Sequence, residues 1–325
     1  MLDFPAGILS TQVGWKRNGY LKTLVIGGCG FIGSHVVDTL LAKGDEVRVL
    51  DRRPEMFRAP LPSVEYVMCD LADTAQIYEA LAGVDAVVHL ASTTVPATSN
   101  LDPAADITGN LVAMVRLLEV MRSTEVRKMV YLSSGGTVYG VPQTDPVRED
   151  HPLNPISSYG IVKVAIENYL FMEHKLHGLQ YVALRASNPY GPRQGHTGIQ
   201  GLIGTHLWRL ARKEQIEVWG DGSVVRDFIH VGDLAELCHR ALVAGGSGSF
   251  NAGSGEGASV AEVVEKICKT VGGDVQPIYK PGRNFDVPRV VLDVTRAQTE
   301  LGWQKTVSID EGIAGTWAWV QEQVG

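Results

Sequence analysis

Cysteine is scarce in this sequence. There are four in 325 residues, at Cys29, Cys69, Cys238 and Cys268, and no two are spaced as a CxxC pair. A metal site or a disulfide framework is therefore not expected, and reduced thiols in a cytoplasmic protein fit better. No stretch reaches the roughly eighteen apolar residues that a membrane-spanning helix needs. The first twenty residues lack the apolar run of a signal peptide and read as a loosely attached extension, or as a start site placed early. Basic charge is not in surplus either: 29 Lys and Arg stand against 36 Asp and Glu, a formal net charge of -7, with no basic run. Nucleic acid is thus not an expected partner, and an anionic ligand must be held by a few placed cations and backbone amides. Internal repeats and low-complexity tracts are absent as well.

What remains is an ordinary globular balance, 45% hydrophobic and 20% charged, in a chain long enough for one large α/β domain and a smaller lobe. Short apolar runs at 23–27, 46–51, 64–70, 86–91, 128–133 and 180–186 read as strands. Several are apolar on both faces, as parallel strands covered by helices should be. Helical patterns at 31–43, 102–121 and 158–177 lie between them. Such alternation predicts an α/β fold with a doubly wound, parallel Rossmann sheet. The expected organisation is an extension over 1–20, a dinucleotide-binding domain over 21–188, and a smaller C-terminal α/β substrate lobe over 189–325, with some later segments returning to the first domain. In that lobe, short elements at 216–219, 230–243, 260–270 and 309–320 follow a glycine-rich stretch.

The segment LVIGGCGFIGSHVVDTLLAKG reads as strand, glycine loop and helix. Gly27, Gly30 and Gly33 give the tight turn, the close approach of backbone to pyrophosphate and the close packing of helix on strand. The helix N-terminus then turns its positive end toward the phosphates. The next strand ends at Asp51, where a carboxylate accepts ribose hydroxyls and repels a 2′-phosphate, so NAD is favoured over NADP. Arg52 and Arg53 work against that preference. Asp70 either receives the adenine amino group or caps the following helix. Cys29 reads as a small filler residue of the loop.

Further along, Tyr159 and Lys163 form a Tyr-x-x-x-Lys pair on one helical face. A phenol titrates near 10, so a basic tyrosine must fall by roughly three pH units, about 4 kcal/mol of preferential phenolate stabilisation. A fixed ammonium and the positive nicotinamide ring of NAD can supply that.

The motifs GGCGFIG, the strand-terminal Asp51, LSSGGTVYG, YGIVK, SNPYGPR and VVRDFIHV together resemble the extended short-chain dehydrogenase/reductase family, and within it the branch of bacterial UDP-glucose 4-epimerases. The resemblance runs from Leu21 onward. It implies that Tyr159 is the base, that Lys163 lowers its pKa and holds the ribose, and that a nearby hydroxyl assists. That hydroxyl is missing at Gly135, which leaves Thr137, Ser134 or a water. The resemblance also implies cofactor contacts from Phe31, Ile32, Asp70, Leu71, Leu90, Ser92 and Ser133. Asn188, Trp219, Arg226, Arg283 and Asp286 are the implied substrate contacts. Small residues at Ser187 and Val290 would leave room for an acetamido group. The expected activity is an NAD-dependent nucleotide-sugar 4-epimerase acting on UDP-hexoses or UDP-N-acetylhexosamines, in a homodimer built through the helices at 102–121 and 158–177. The alternatives are a 4-ketoreductase or dehydrogenase of the same superfamily, and a dinucleotide-binding protein without catalysis.

Overall fold

A computed structural model of the chain describes residues 20–195, 201–273, 275–282 and 287–324. Seven parallel strands form the central sheet: β1 (Lys22–Ile26), β2 (Glu46–Asp51), β3 (Val64–Met68), β4 (Ala86–His89), β5 (Lys128–Ser134), β6 (Gln180–Ala186) and β10 (Gly248–Ala252). Their spatial order is β10-β6-β5-β4-β1-β2-β3. The chain thus winds outward in both directions from β1 and β4, and ligands bind outside the carboxyl ends of the strands near that reversal.

Both faces of the sheet are dry. Leu24 and Ile26 enter one apolar cluster and Val25 the other, all essentially inaccessible. Helices α1 (Phe31–Ala42), α2 (Thr74–Leu81), α4 (Ala113–Arg122) and α5 (Ser158–His177) cover the faces. The single helix expected over 102–121 is interrupted: α3 (Pro103–Asp106) passes through a π-helical stretch, Ile107–Val112, before α4 begins. Helix α5 matches its expected bounds because its ends are encoded locally. The Ser157 side chain accepts from the Gly160 amide, and Gly178 closes the other end at φ 72° after a basic last turn.

The rest of the chain builds a second layer of short elements. Strand β7 (Asn188–Tyr190) runs parallel to β9 (Val225–His230), which also pairs with β11 (Gly257–Ser259) and β13 (Arg289–Val290). Strands β8 (Glu217–Trp219) and β12 (Ile278–Lys280) pair separately. Helices α6 (Leu202–Ala211), α8 (Val260–Val271) and α10 (Ile309–Val324) share an apolar cluster with Tyr190 and Phe228. Helix α7 (Val231–Val243) packs instead on α1, and α9 (Thr295–Leu301) on β10. Among the described residues, no helix is long and apolar enough to cross a membrane.

Candidate active site

The β1–α1 turn is a backbone cradle. Gly27 has φ 84°, and a Cβ there would lie 2.8 Å from the Ala91 amide nitrogen. A Cβ at Gly33 would lie 2.0 Å from the Gly27 carbonyl oxygen, so helix and loop touch backbone to backbone. Gly30 is the N-cap of α1 and offers no side chain to the first-turn amides, which leaves their N–H groups for an anion. Asp51 ends β2, where its carboxylate accepts from the Cys29 and Arg53 amides at 3.1 Å each. That arrangement fixes the carboxylate beside the glycine loop and leaves it lone pairs for two hydroxyls. Asp70 is exposed at the end of β3 and accepts from the Ala72 amide, while Asp73 caps α2. Leu71 follows it. Leu90 donates its amide to the Ile26 carbonyl beside the glycine loop, and Ser92 lies exposed just beyond β4. These residues crowd the carboxyl ends of β1 to β4, as a dinucleotide site requires.

Beyond that edge opens a cavity of about 810 Å³. Phe31, Ile32, Ser133, Ser134, Thr137 and Tyr159 line it, together with Ser187, Asn188, Arg226 and Val290. A second cavity of about 320 Å³, lined by Trp219, adjoins it. Asn188, Pro189, Gly201 and Arg226 line both. Asn188 is held by donating to the Asp227 carbonyl at 2.7 Å. Asp227 itself is fully buried. It accepts from Ser254, Gly255 and Leu292, which ties β9 and its neighbour Arg226 to the surrounding loops. The Arg226 guanidinium donates to the Val225 and Val287 carbonyls. Arg283 and Asp286 lie outside the described residues.

Tyr159 and Lys163 stand one turn apart on α5, with the Lys163 ammonium 5.2 Å from the centre of the Tyr159 ring. The start of α5 is fastened down. Ser99 Oγ accepts from the Tyr159 amide, Asn100 from the Ser158 amide, and buried Asp106 from the Ser158 hydroxyl. Lys163 donates to the Leu132 carbonyl at 2.8 Å. Burial pulls its pKa down to about 8, against the opposing pull of Glu167 and Asp106. In the protein alone the Tyr159 phenol is pushed up, first by burial and then by the Asp106 carboxylate.

The absent hydroxyl at Gly135 has a packing cause. A Cβ there would lie 2.5 Å from Leu292 Cδ1 and 2.8 Å from the Arg185 carbonyl oxygen. Another hydroxyl in the cavity wall, Thr137 Oγ1, is buried and has no hydrogen-bond partner among the described residues, whereas the Ser187 hydroxyl stands against the buried Asp227 carboxylate. By contrast, the Ser133 hydroxyl is spent on Glu167. Sequence reasoning passed over Glu167, Arg185 and Asp106. Glu167 was marked only by its place four residues beyond Lys163 on the same face.

Residues 23–253 match the NAD dependent epimerase/dehydratase family. A UDP-glucose 4-epimerase of Mycolicibacterium smegmatis is 40% identical over 305 residues, covering 91% of this chain and 97% of that protein. The crystal structure of a UDP-glucose 4-epimerase from Thermotoga maritima with UDP-glucose superposes with a TM-score of 0.89 at 34% identity, covering 94% of this chain and all of that one (100%). The Thermus thermophilus UDP-glucose 4-epimerase in complex with NAD gives 0.86 at 35% identity, over 92% of this chain and 99% of that one.

Proposed function

The chain belongs to the NAD-dependent epimerase/dehydratase family, and from that premise we propose that it is a nucleotide-sugar 4-epimerase of the UDP-glucose/UDP-galactose type. The observation that carries this reading is the pair of joined cavities. The larger holds Tyr159 and Thr137, the smaller holds Trp219, and Asn188 and Arg226 stand where the two meet. A nucleoside diphosphate sugar has that layout: a flat base, a doubly charged diphosphate and a hexose. Trp219 offers an aromatic face to the base. Arg226 and Asn188 receive the diphosphate, a guanidinium being suited to phosphate oxygens, and the hexose lies against Tyr159.

Bound NAD supplies a hydride acceptor that is restored within each turnover, and its positive ring adds to the charge of Lys163. Gly27, Gly30, Gly33 and Asp51 hold it. Tyr159 takes the proton of the sugar 4-hydroxyl as C4 is oxidised, and returns one after the 4-keto sugar has turned over. Lys163 stabilises the phenolate, and Thr137, with Ser134 beside it, takes the place of the hydroxyl that Gly135 lacks. Small Ser187 and Val290 in the cavity wall favour acceptance of N-acetylhexosamines as well. The reading includes a homodimer through the α4 and α5 faces, where Ile161 and Leu176 of α5 are 55% and 66% exposed.

The test is interconversion of UDP-glucose and UDP-galactose with no net change in nicotinamide absorbance. Stoichiometric gain or loss of reduced cofactor would assign the chain to the reductases instead. Tyr159→Phe should lower kcat at least about a hundredfold, the contribution of a lost general base; unchanged turnover would mean that the base is elsewhere.

A further inference from the structure

We propose that Glu167, paired with Arg185, is a positioning residue for the acid–base helix: its negative charge keeps Lys163 in the cationic form and its hydrogen bonds lock α5 against the end of β5. The inference rests on the reading of Tyr159 and Lys163 as the acid–base pair.

Tyr159, Lys163 and Glu167 recur every four residues of α5 and so share one face. The Glu167 and Arg185 side chains are each only 6% exposed. Arg185 Nη2 donates to Glu167 Oε2 at 2.7 Å, and its Nε lies 3.2 and 3.1 Å from the two carboxylate oxygens. Ser133 donates to Oε1 and Ser249 to Oε2. The other side of Arg185 donates to the Tyr139 hydroxyl and the Glu149 carbonyl, at 3.0 Å each. Tyr139 donates to Asn251, whose amide group reaches the Val147 and Asp293 carbonyls. This chain of bonds crosses from the catalytic helix through β5, β6 and β10 to the segment that carries Leu292 behind Gly135.

Stability alone does not account for it. A buried ion pair recovers little more than its desolvation cost, and well-packed apolar residues often serve as well or better. What distinguishes this pair is its neighbour. Among the described residues, Lys163 forms no ion pair. Its ammonium donates to a carbonyl and lies 4.7 Å from the centre of the Tyr131 ring. The titratable groups around it are Tyr159 and Glu167 on α5, Asp106 on α3, Tyr131 on β5 and His89 on β4. His89 is buried and held neutral, its pKa lowered to about 3. The anionic field on the lysine therefore comes from Glu167 and Asp106, with Glu167 the larger. Against burial, Glu167 and then Asp106 favour the charged lysine.

Lys163 loses its proton as pH rises through about 8, so the alkaline limb of kcat/KM for UDP-hexose interconversion should fall there. Glu167→Gln retains the shape and most hydrogen bonds but removes the anion and leaves the Arg185 cation facing the site. The limb should move to lower pH by about one pH unit. The paired change Glu167→Leu with Arg185→Met removes both charges, so no buried charge is stranded, and should bring the limb part of the way back. Variants that lose kcat equally at every pH, with the limb unmoved, would reduce the pair to a structural role. Failure of both variants to give folded, NAD-binding protein would do the same. If Tyr159→Phe keeps its turnover, it is the underlying acid–base reading that fails, and the pH profiles cannot be credited to Lys163.

Discussion

In the Gly27–Gly33 loop, an added methyl group at Gly33 would meet a backbone carbonyl at 2.0 Å, whereas at Gly136, in the wall of the larger cavity, it would meet nothing within 4 Å. The cofactor edge is closed by main-chain atoms that cannot move apart without undoing the β1–α1 turn. The cavity beyond it is walled by side chains, several of them small, and by the Thr137 hydroxyl, which has no partner among the described residues. One region is specified by the absence of side chains, the other by which side chains happen to be there. The first must accept one cofactor in one pose. On the proposed reading the second would hold a sugar loosely enough for a 4-keto intermediate to turn over, and its preferences could be altered residue by residue.

The contrast is broken most severely at Gly33. Gly33→Ala places a methyl against the Gly27 carbonyl, which is itself part of the cradle. We expect destabilisation at the upper end of the overpacking range, about 3 kcal/mol, together with loss of bound NAD. The melting temperature and the NAD released on acid denaturation report both. A variant that retains NAD and stability would show the loop to be more compliant than its contacts imply.

The same contrast explains how much of the molecule was legible in its sequence. Strand β2, strand β6 and helix α5 coincide with the sequence reading, because their signals are local: an apolar run in one case, a serine cap and a closing glycine in another. The seventh strand of the sheet, β10, was not legible. Its sequence GSFNA is short and carries glycine and asparagine, and it becomes a strand only because β6 offers a partner edge. The break of the long helix at Ile107–Val112 also escaped, since helical periodicity continues through it. At the candidate site, Tyr159, Lys163 and the glycine loop stand out in the sequence because the chemistry proposed for them depends on their spacing. Glu167 and Arg185 lie 18 residues apart in sequence, and each alone reads as an ordinary surface charge. Only the fold shows them buried together. Gly135 was legible as a departure, but its cause, the Leu292 side chain, comes from a segment more than 150 residues away.

The next effect in size concerns the partnerless hydroxyl. Thr137→Val removes Oγ1 while keeping the shape of the side chain. Turnover should fall by up to about a hundredfold if this hydroxyl assists proton transfer. The folded state should not suffer, because a buried hydroxyl without a partner costs about 1–3 kcal/mol to hold. Thr137→Ser should restore turnover. Loss of activity without loss of melting temperature separates a chemical role from a packing one. Full activity in the valine variant would shift the assignment to Ser134 or to water.

The smallest and most informative change is at Val290, which is 7% exposed and lines the same cavity as Tyr159. Val290→Tyr fills space there and leaves the proposed acid–base residues, Tyr159 and Lys163, unchanged. An added aromatic ring should leave UDP-galactose turnover within a few-fold, while excluding the bulk of an acetamido group. A pocket discriminates a few heavy atoms by about 1–3 kcal/mol, so the ratio of kcat/KM for UDP-galactose over UDP-N-acetylgalactosamine should rise at least about tenfold. The measurement is a competition between the two sugars in one tube, which cancels differences in active enzyme between preparations. If the ratio is unchanged, the acetamido group lies elsewhere in the cavity and Ser187 becomes the wall to change. If the wild-type chain already rejects the acetamido sugar, the room left by Ser187 and Val290 is not available to the bound substrate, and the cavity is more selective than its size suggests.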